Sequence, residues 1–143
     1  MIEIPLKTPM TLFVRIKGAK GERELEGILD TFATHMTISH KDAVQLGYNI
    51  PIDPEIDVGQ GRWAFSTRSS LMVATIMLQE VRIGDLVAEN VEAIVYDLPL
   101  DLSVETILGI SFLQNFKTTI DYERSVLRFE KIGARRSSTT PNL

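Results

Sequence analysis

The stretch GILDTFATHMTIS, residues 27–39, decides the fold class of this chain. It begins as an apolar strand of the buried type and ends that strand on one acidic residue, Asp30, with Thr31 directly after it. An aspartate in this position has two interpretations. It is either a structural residue that accepts backbone N–H bonds at a turn, or a carboxyl group that is placed for chemistry. The surrounding sequence helps to decide between these two interpretations.

Segments rich in β-branched and apolar residues lie on both sides of this stretch and predict a mainly β domain. Three hairpins are expected, over residues 10–29, 71–97 and 119–129, and the second has Gly84-Asp85 as a two-residue turn. After the first hairpin, Ser39 is followed three residues later by an acid, which is the pattern of a helix N-terminus. We therefore predict a short helix that ends near Leu46.

Composition and charge limit the function classes. The chain has 143 residues, 44% hydrophobic and 24% charged, which is typical of one soluble domain. A net charge of −4 argues against nucleic acid and anionic membranes as partners. The absence of cysteine excludes disulfides, thiolate catalysis and zinc sites built on sulfur.

The ends of the chain predict its location and its domain bounds. The N-terminus lacks the basic start and apolar run of a secretory signal, and no stretch approaches the roughly 20 apolar residues of a membrane span. We expect a cytoplasmic protein. Residues 1–131 are predicted to form the domain, and residues 132–143 a disordered polar tail.

The Ile-Leu pair before Asp30 has an echo in Ile107-Leu108-Gly109. Both pairs end an extended arm that comes after a hairpin, and a short helical pattern follows each of them. Chance repetition in an apolar sequence is one explanation. The repeated order of the surrounding elements favours the other, a weak two-fold repeat within the domain.

The order of these pieces is similar to that of the retropepsin-like aspartic proteases, especially their small single-domain cellular and prokaryotic members. The resemblance covers residues 10–130 and is carried by Asp30-Thr31-x-Ala33, VRIGDLVAENVEAIV, ILGISFLQNF and TIDYERSVLRF. It implies an all-β fold with one or two short helices, closed into a barrel, and an obligate two-fold dimer. Each chain would give one aspartate to a shared dyad that hydrolyses peptide bonds, with no cofactor and with a peptide or unfolded polypeptide as substrate.

The resemblance also implies roles for single residues. Asp30 matches the catalytic aspartate, and Thr31 matches the threonine whose hydroxyl bonds across the dimer axis. Ala33 matches the small residue that follows the family's glycine. Residues Ile107, Leu108 and Gly109 match the motif of two hydrophobic residues and a glycine that supports the active-site loop from behind.

A flap that closes over substrate is implied for the segment around residues 59–65. Gly59 and Gly61 suit a mobile tip, and Trp63 and Phe65 would contact the substrate or the partner's flap. The other interpretation of these two aromatic residues is that they cover the edge of a core. Gly59-x-Gly61 without a following helix does not indicate a phosphate site.

The chemistry independently requires a second carboxyl group. General acid–base hydrolysis by carboxyl groups needs two of them in different protonation states. Two carboxyl groups about 3 Å apart share one proton, because ionising both is costly. A second copy of Asp30 would supply the partner. The other candidates, expected to be mostly solvated, are Asp53, Asp57, Asp97, Asp101 and Asp121.

Phe32 departs from the Asp-Thr-Gly or Asp-Ser-Gly motif of the family, in which the third residue is glycine. Glycine lets the backbone come close to substrate and to the other loop. Phenylalanine here fills part of the groove, pushes the loops apart or changes which peptides fit. An alternative function is therefore a catalytically impaired peptide-binding or scaffold module. An unrelated β-barrel interaction domain is a third possibility.

The two histidines and Ser111 could be taken for metal ligands or a nucleophile, but the sequence predicts other roles for them. His35 and His40 lack the spacing of metal ligands, so no metal site is predicted. His35 is expected to make a side-chain contact near the active-site loop. Ser111 lacks the second glycine of a nucleophile elbow and is expected to cap a short helix.

Overall fold

A computed structural model describes residues 1–50, 63–68 and 71–133, with the backbone alone for residues 63–68, 71 and 72. The described part is mainly β, with two short α-helices and one 3-10 turn at Leu100–Leu102. The helices are α1 (His40–Gln45) and α2 (Ile110–Leu113). The strands are β1 (Ile2–Pro5), β2 (Thr11–Lys17), β3 (Glu22–Leu29), β4 (Met36–Ile38), β5 (Trp63–Arg68), β6 (Leu71–Ile83), β7 (Leu86–Val95), β8 (Thr106–Leu108), β9 (Phe116–Asp121) and β10 (Val126–Lys131).

Six of these strands close into a barrel in the order β2-β3-β8-β4-β7-β6, and β6 pairs back with β2. Closure depends on the 13 residues of β6, whose first half pairs with β5 and whose last residues reach β2 at Arg15↔Arg82. The predicted mainly β fold and closed barrel are confirmed.

Alternation along the strands explains why these residues form a barrel. In β2 the buried Val14 and Ile16 alternate with exposed neighbours, so one face lies in the core and the other in solvent. All six barrel strands contribute fully buried apolar side chains. Examples are Ile16, Leu25, Ile38, Leu78, Ala93 and Leu108, each with 0% of its surface exposed.

The predicted hairpin turn at Gly84 and the predicted helix α1 are also confirmed. Gly84 has a φ of 58°, which a two-residue hairpin turn requires and glycine adopts readily. Ser39 is the N-cap of α1, and its side chain accepts a hydrogen bond from the backbone N–H of Asp42. Gly47 follows the helix with a φ of 99°.

A second, three-stranded sheet has the order β1-β10-β9. The β9–β10 hairpin is predicted by the sequence, but β1 is not, because its pairing partner lies at the other end of the chain (Ile4↔Leu127). Aromatic rings join this sheet to α2: Phe116 packs edge to face against Phe112, with ring centroids 5.2 Å apart, and against Phe129. The helix next to the candidate site is thereby fixed to the outer sheet.

Glu3 on β1 binds two arginines, Arg128 on β10 and Arg124 in the turn before β10. Arg124 Nη1 and Arg128 Nε each lie 3.1 Å from Glu3 Oε2. The hydrogen bond from Arg124 lowers the pKa of Glu3 most, and the one from Arg128 adds to this effect. Together they hold the pKa below its ordinary value of 4.5. A carboxyl group with a lowered folded-state pKa stabilises the fold above its unfolded-state pKa, and this contribution is lost as the pH falls through the folded-state pKa.

We therefore expect Glu3→Gln to reduce the acid sensitivity of the fold. The free energy of unfolding, measured by urea titration over a series of acidic pH values, should fall less steeply with decreasing pH in the variant than in the native chain. Glu123→Gln, a charge change at an exposed neighbouring position, is the control and should keep the native slope. Equal slopes for Glu3→Gln and the native chain would contradict this prediction.

The described residues contain no helix that is long and apolar enough to span a membrane.

Candidate active site

Asp30 lies at the surface end of β3, where the loop of residues 30–35 leads to β4. Its backbone N–H donates to Leu108 O at 3.1 Å, which continues the β3–β8 pairing for one more residue. Its side-chain Oδ1 accepts a hydrogen bond from the backbone N–H of Phe32 at 2.9 Å, and its carbonyl accepts one from Ala33 at 3.3 Å. Asp30 thus has the structural role of an Asx turn, and this turn also orients its half-buried carboxyl group.

The two Ile-Leu segments of the sequence echo are neighbours in the barrel. β3 and β8 are parallel, with Ile28 beside Ile107 and Leu29 beside Leu108. Continuing this register places Gly109 at the position equivalent to Asp30. The echo therefore corresponds to two adjacent strands that end at the same edge of the barrel.

Gly109 lies directly against the loop that carries Asp30. A Cβ at this position would be 2.5 Å from the carbonyl oxygen of His35 and 2.7 Å from that of Ala33, closer than real side chains come. The first amides of α2 hold the same loop: Ile110 N–H donates to Ala33 O at 2.8 Å, and Ser111 N–H donates to Thr34 O at 3.0 Å. The loop after Asp30 is therefore held by backbone contacts along most of its length.

The prediction that Ser111 caps α2 is wrong. Gly109 is the N-cap residue and makes no side-chain cap, and Ser111 lies inside the helix. The buried hydroxyl of Ser111 instead accepts from Met36 N–H at 2.9 Å and donates to Glu92 O at 2.7 Å. It joins β4 to β7, two strands far away in sequence, so no local pattern indicated this role.

The tip of the loop faces solvent in the single chain. Thr31 is exposed, and 93% of the surface of Phe32 is exposed. Ala33 is half-buried between them and the barrel. The exposed ring of Phe32 leaves apolar surface uncovered beside an oriented carboxyl group.

Both histidines have hydrogen-bond partners. His35 is in the loop, with Nε2 2.6 Å from Glu92 Oε1 and Nδ1 3.0 Å from Thr34 Oγ1. His40 Nε2 lies 2.9 Å from Ile50 O. Over the ranges 1–50, 63–68 and 71–133, no group of three or more His, Asp or Glu side chains could hold a metal ion.

Two of the other aspartates expected to be solvated have structural roles. Asp97 Oδ1 accepts from His40 N–H at 2.8 Å, and Asp121 Oδ1 accepts from Arg124 N–H at 2.9 Å. Each carboxylate accepts a hydrogen bond from the backbone N–H of a residue that follows a strand, which is a common role of aspartate.

The residues predicted to form the flap fall partly on described positions. Gly59 and Gly61 lie outside the described residues. Trp63 and Phe65 belong to β5, whose backbone pairs with β6 at Ile76 and Ala74. This strand extends the barrel sheet beyond β6.

Comparison with solved structures identifies the class of fold. The chain is similar to a retropepsin-like aspartic protease from Rickettsia conorii, with 22% identity, a TM-score of 0.63, and coverage of 90% of this chain and 88% of that chain. It is also similar to the retroviral protease-like domain of Ddi1 from Leishmania major, with 16% identity, a TM-score of 0.49, and coverage of 86% and 90%. The similarity to the Rickettsia conorii structure shows that the fold is retropepsin-like.

The family follows from the sequence. Residues 16–115, more than half of the chain, match the family described as "gag-polyprotein putative aspartyl protease", and the chain belongs to this family. A search of curated proteins found no match.

Proposed function

We propose that this chain is one half of an aspartic endopeptidase. In the proposed enzyme two copies pair about a two-fold axis, and Asp30 of each copy joins a shared dyad that hydrolyses peptide bonds of unfolded polypeptides. The observation that carries the proposal is the Asp30 carboxyl group itself, which the β3–β8 pairing and the Asx turn hold at the surface end of the barrel.

The proposed mechanism uses the unequal protonation of the pair. Two close carboxyl groups hold one proton between them. The ionised Asp30 takes a proton from water as the water oxygen attacks the peptide carbonyl carbon. The protonated Asp30 of the other copy donates a hydrogen bond to the oxyanion that forms. The C–N bond then breaks, and the leaving amine takes up the proton that the first Asp30 removed from water.

The neighbours of Asp30 support this chemistry in the proposal. Thr31 would donate a hydrogen bond from its hydroxyl group across the axis, and this bond would stiffen the two loops. The triplet 107–109 would keep the loop from moving away from substrate, because Gly109 lies against its carbonyl groups. Gly59, Gly61, Trp63 and Phe65 would form the flap that excludes water during the reaction.

The test is cleavage of a denatured polypeptide by the purified chain, together with the mass of the active species from sedimentation. The proposal requires a dimer and cleavage between about pH 4 and 7 that a pepstatin-type inhibitor blocks. A strictly monomeric chain, or a dimer that cleaves no unfolded polypeptide in this range, would exclude it.

A catalytically impaired peptide-binding module is the second candidate, and the exposed Phe32 favours it. Its ring stands two residues after Asp30, where it could keep water or substrate from the dyad. In this case the same dimer would bind extended peptides in its groove without cleaving them.

Phe32→Gly separates the two candidates. We expect this variant to cleave with a kcat/KM about tenfold higher than the native chain, because removing the ring opens space beside the carboxyl groups. Activity in the variant alone would assign the native chain to the binding-module candidate. Phe13→Ala, which removes another exposed aromatic ring on β2, is the control. A variant that folds, dimerises and is no faster would show that Phe32 does not restrict the site.

A further inference from the structure

The loop that carries Asp30 is fastened to the barrel wall by one side-chain pair in addition to its backbone contacts. His35 is the last loop residue before β4, and its Nε2 lies 2.6 Å from Oε1 of Glu92 on β7. The imidazole is 17% exposed and the carboxylate 47% exposed. The short distance and the partly buried ring make this a strong candidate for a hydrogen bond that becomes charge-assisted on protonation.

The geometry around His35 suits both protonation states of the ring. An ionised carboxylate can only accept, so Nε2 carries the proton that points to Glu92. In the neutral ring, Nδ1 accepts from the Thr34 hydroxyl, 3.0 Å away. In the charged ring, Nδ1 donates to the same hydroxyl, which only has to rotate. Protonation therefore adds a charge to the contact without requiring any side chain to move.

The strand that carries Glu92 is tied to the same loop from a second side. Ser111 Oγ donates to the backbone carbonyl of Glu92 and accepts from Met36 N–H, the residue after His35. Glu92 is thus held beside the loop through its backbone as well as through its side chain. A change in the strength of the His35–Glu92 contact would act on a loop whose other contacts stay in place.

We infer that His35 and Glu92 are positioning residues for Asp30 and form a clamp that holds the Asp30 loop most firmly in mildly acidic solution. Histidine is the side chain that gains its charge just below neutral pH, while an ordinary carboxyl group is still ionised there. The contact is an ion pair only when the imidazole is protonated and the carboxyl group is ionised. A carboxyl dyad that shares one proton also works on the acidic side of neutrality, so the clamp would be firmest where the proposed enzyme acts.

The neighbours of the clamp set its electrostatic surroundings. The loop itself contributes the carboxyl group of Asp30, and β7 contributes Glu92. α2 faces the loop with Ser111 and the backbone of Gly109, neither of which titrates, and β6 places Met77 opposite Glu92. Because Glu92 is about half exposed, salt should weaken the clamp.

The test is hydrogen exchange at the amides of Phe32 and Ala33, which both donate to oxygen atoms of Asp30. We expect His35→Gln, which keeps a donor but cannot be charged, to lower their protection factors about threefold to fivefold in mildly acidic solution. Above neutral pH the difference should nearly vanish. Glu92→Gln should have the same effect. A residue with only a packing role would change protection equally at both pH values.

The controls use the same strand and a distant amide. Glu89→Gln makes the same charge change on an exposed position of β7 and should leave the Phe32 and Ala33 amides as in the native chain. The amide of Tyr48, which donates to Ala43 O outside the loop, is the second control and should be unaffected by all three variants. Equal protection of the loop amides in the native chain, His35→Gln and Glu92→Gln at both pH values would overturn the inference.

The effect on catalysis rests on the proposed function, but the exchange measurement does not. If the chain is a protease, the ratio of kcat for His35→Gln to kcat for the native chain should be lower in mild acid than above neutral pH. If no variant and no native chain cleaves any polypeptide, the proposed function fails, and the exchange data still decide whether the clamp exists.

Discussion

Asp30→Asn is expected to lower peptide-bond hydrolysis by about 10⁴-fold while the barrel and the dimer stay intact. The amide oxygen of asparagine can accept the same hydrogen bond from the Phe32 N–H that Asp30 Oδ1 accepts at 2.9 Å. The Asx turn therefore remains. What is lost is the ability to take a proton from water and to hold the shared proton of the dyad, and with it the chemical step.

The measurement is initial-rate cleavage of a denatured polypeptide, with circular dichroism and sedimentation on the same samples. Asp101→Asn is the matched control, because it makes the same change at an exposed position of the β7–β8 connection. Cleavage by Asp30→Asn at the native rate, with a folded dimer, would rule out Asp30 as the catalytic group.

Gly109→Ala is expected to lower the free energy of unfolding by about 3 kcal/mol, because overpacking that moves backbone is costly. The new methyl group would lie 2.5 Å from the His35 carbonyl oxygen and 2.7 Å from that of Ala33, so the loop would have to move away from α2. That movement would also weaken the hydrogen bonds from Ile110 and Ser111 to the loop. We therefore expect the variant to be less stable and its Asp30 carboxyl group to be displaced.

Thermal unfolding measures the first effect, and a decrease in Tm of about 10 °C is expected for a domain of this size. Gly133→Ala is the control, since a Cβ there meets no atom within 4 Å. Any cleavage activity should fall in Gly109→Ala beyond the loss that unfolding explains. An unchanged Tm would show that the loop relaxes at little cost and would contradict the proposed support by Gly109.

The sequence predicted those features whose physical cause is local. The β2–β3 and β6–β7 hairpins follow from apolar strands on either side of turn residues, and Gly84 adopts the positive φ that such a turn needs. The start of α1 follows from the Ser39 side chain, which reaches an amide only three residues away. The similarity between residues 28–30 and 107–109 was visible in the sequence, and the structure places Ile28 and Leu29 beside Ile107 and Leu108 on two parallel strands.

Tertiary structure decided the features that depend on contacts between distant segments. β1 is too short for the preference of its two isoleucines to predict a strand by itself, and its pairing partner β10 lies at the other end of the chain. Ser111 joins β4 to β7 instead of capping α2, and His35 meets Glu92, because closure of the barrel brings these strands together.

The same division applies to the site. The sequence alone determined that an apolar strand ends on Asp30, since local polarity and turn chemistry require no knowledge of the rest of the chain. Only the folded barrel decided that Gly109 and α2 hold the following loop and that the Phe32 ring lies in solvent. The physical reason is that turns and caps are satisfied within a few residues, whereas loop support and side-chain exposure are set by elements that meet only after the chain has closed on itself.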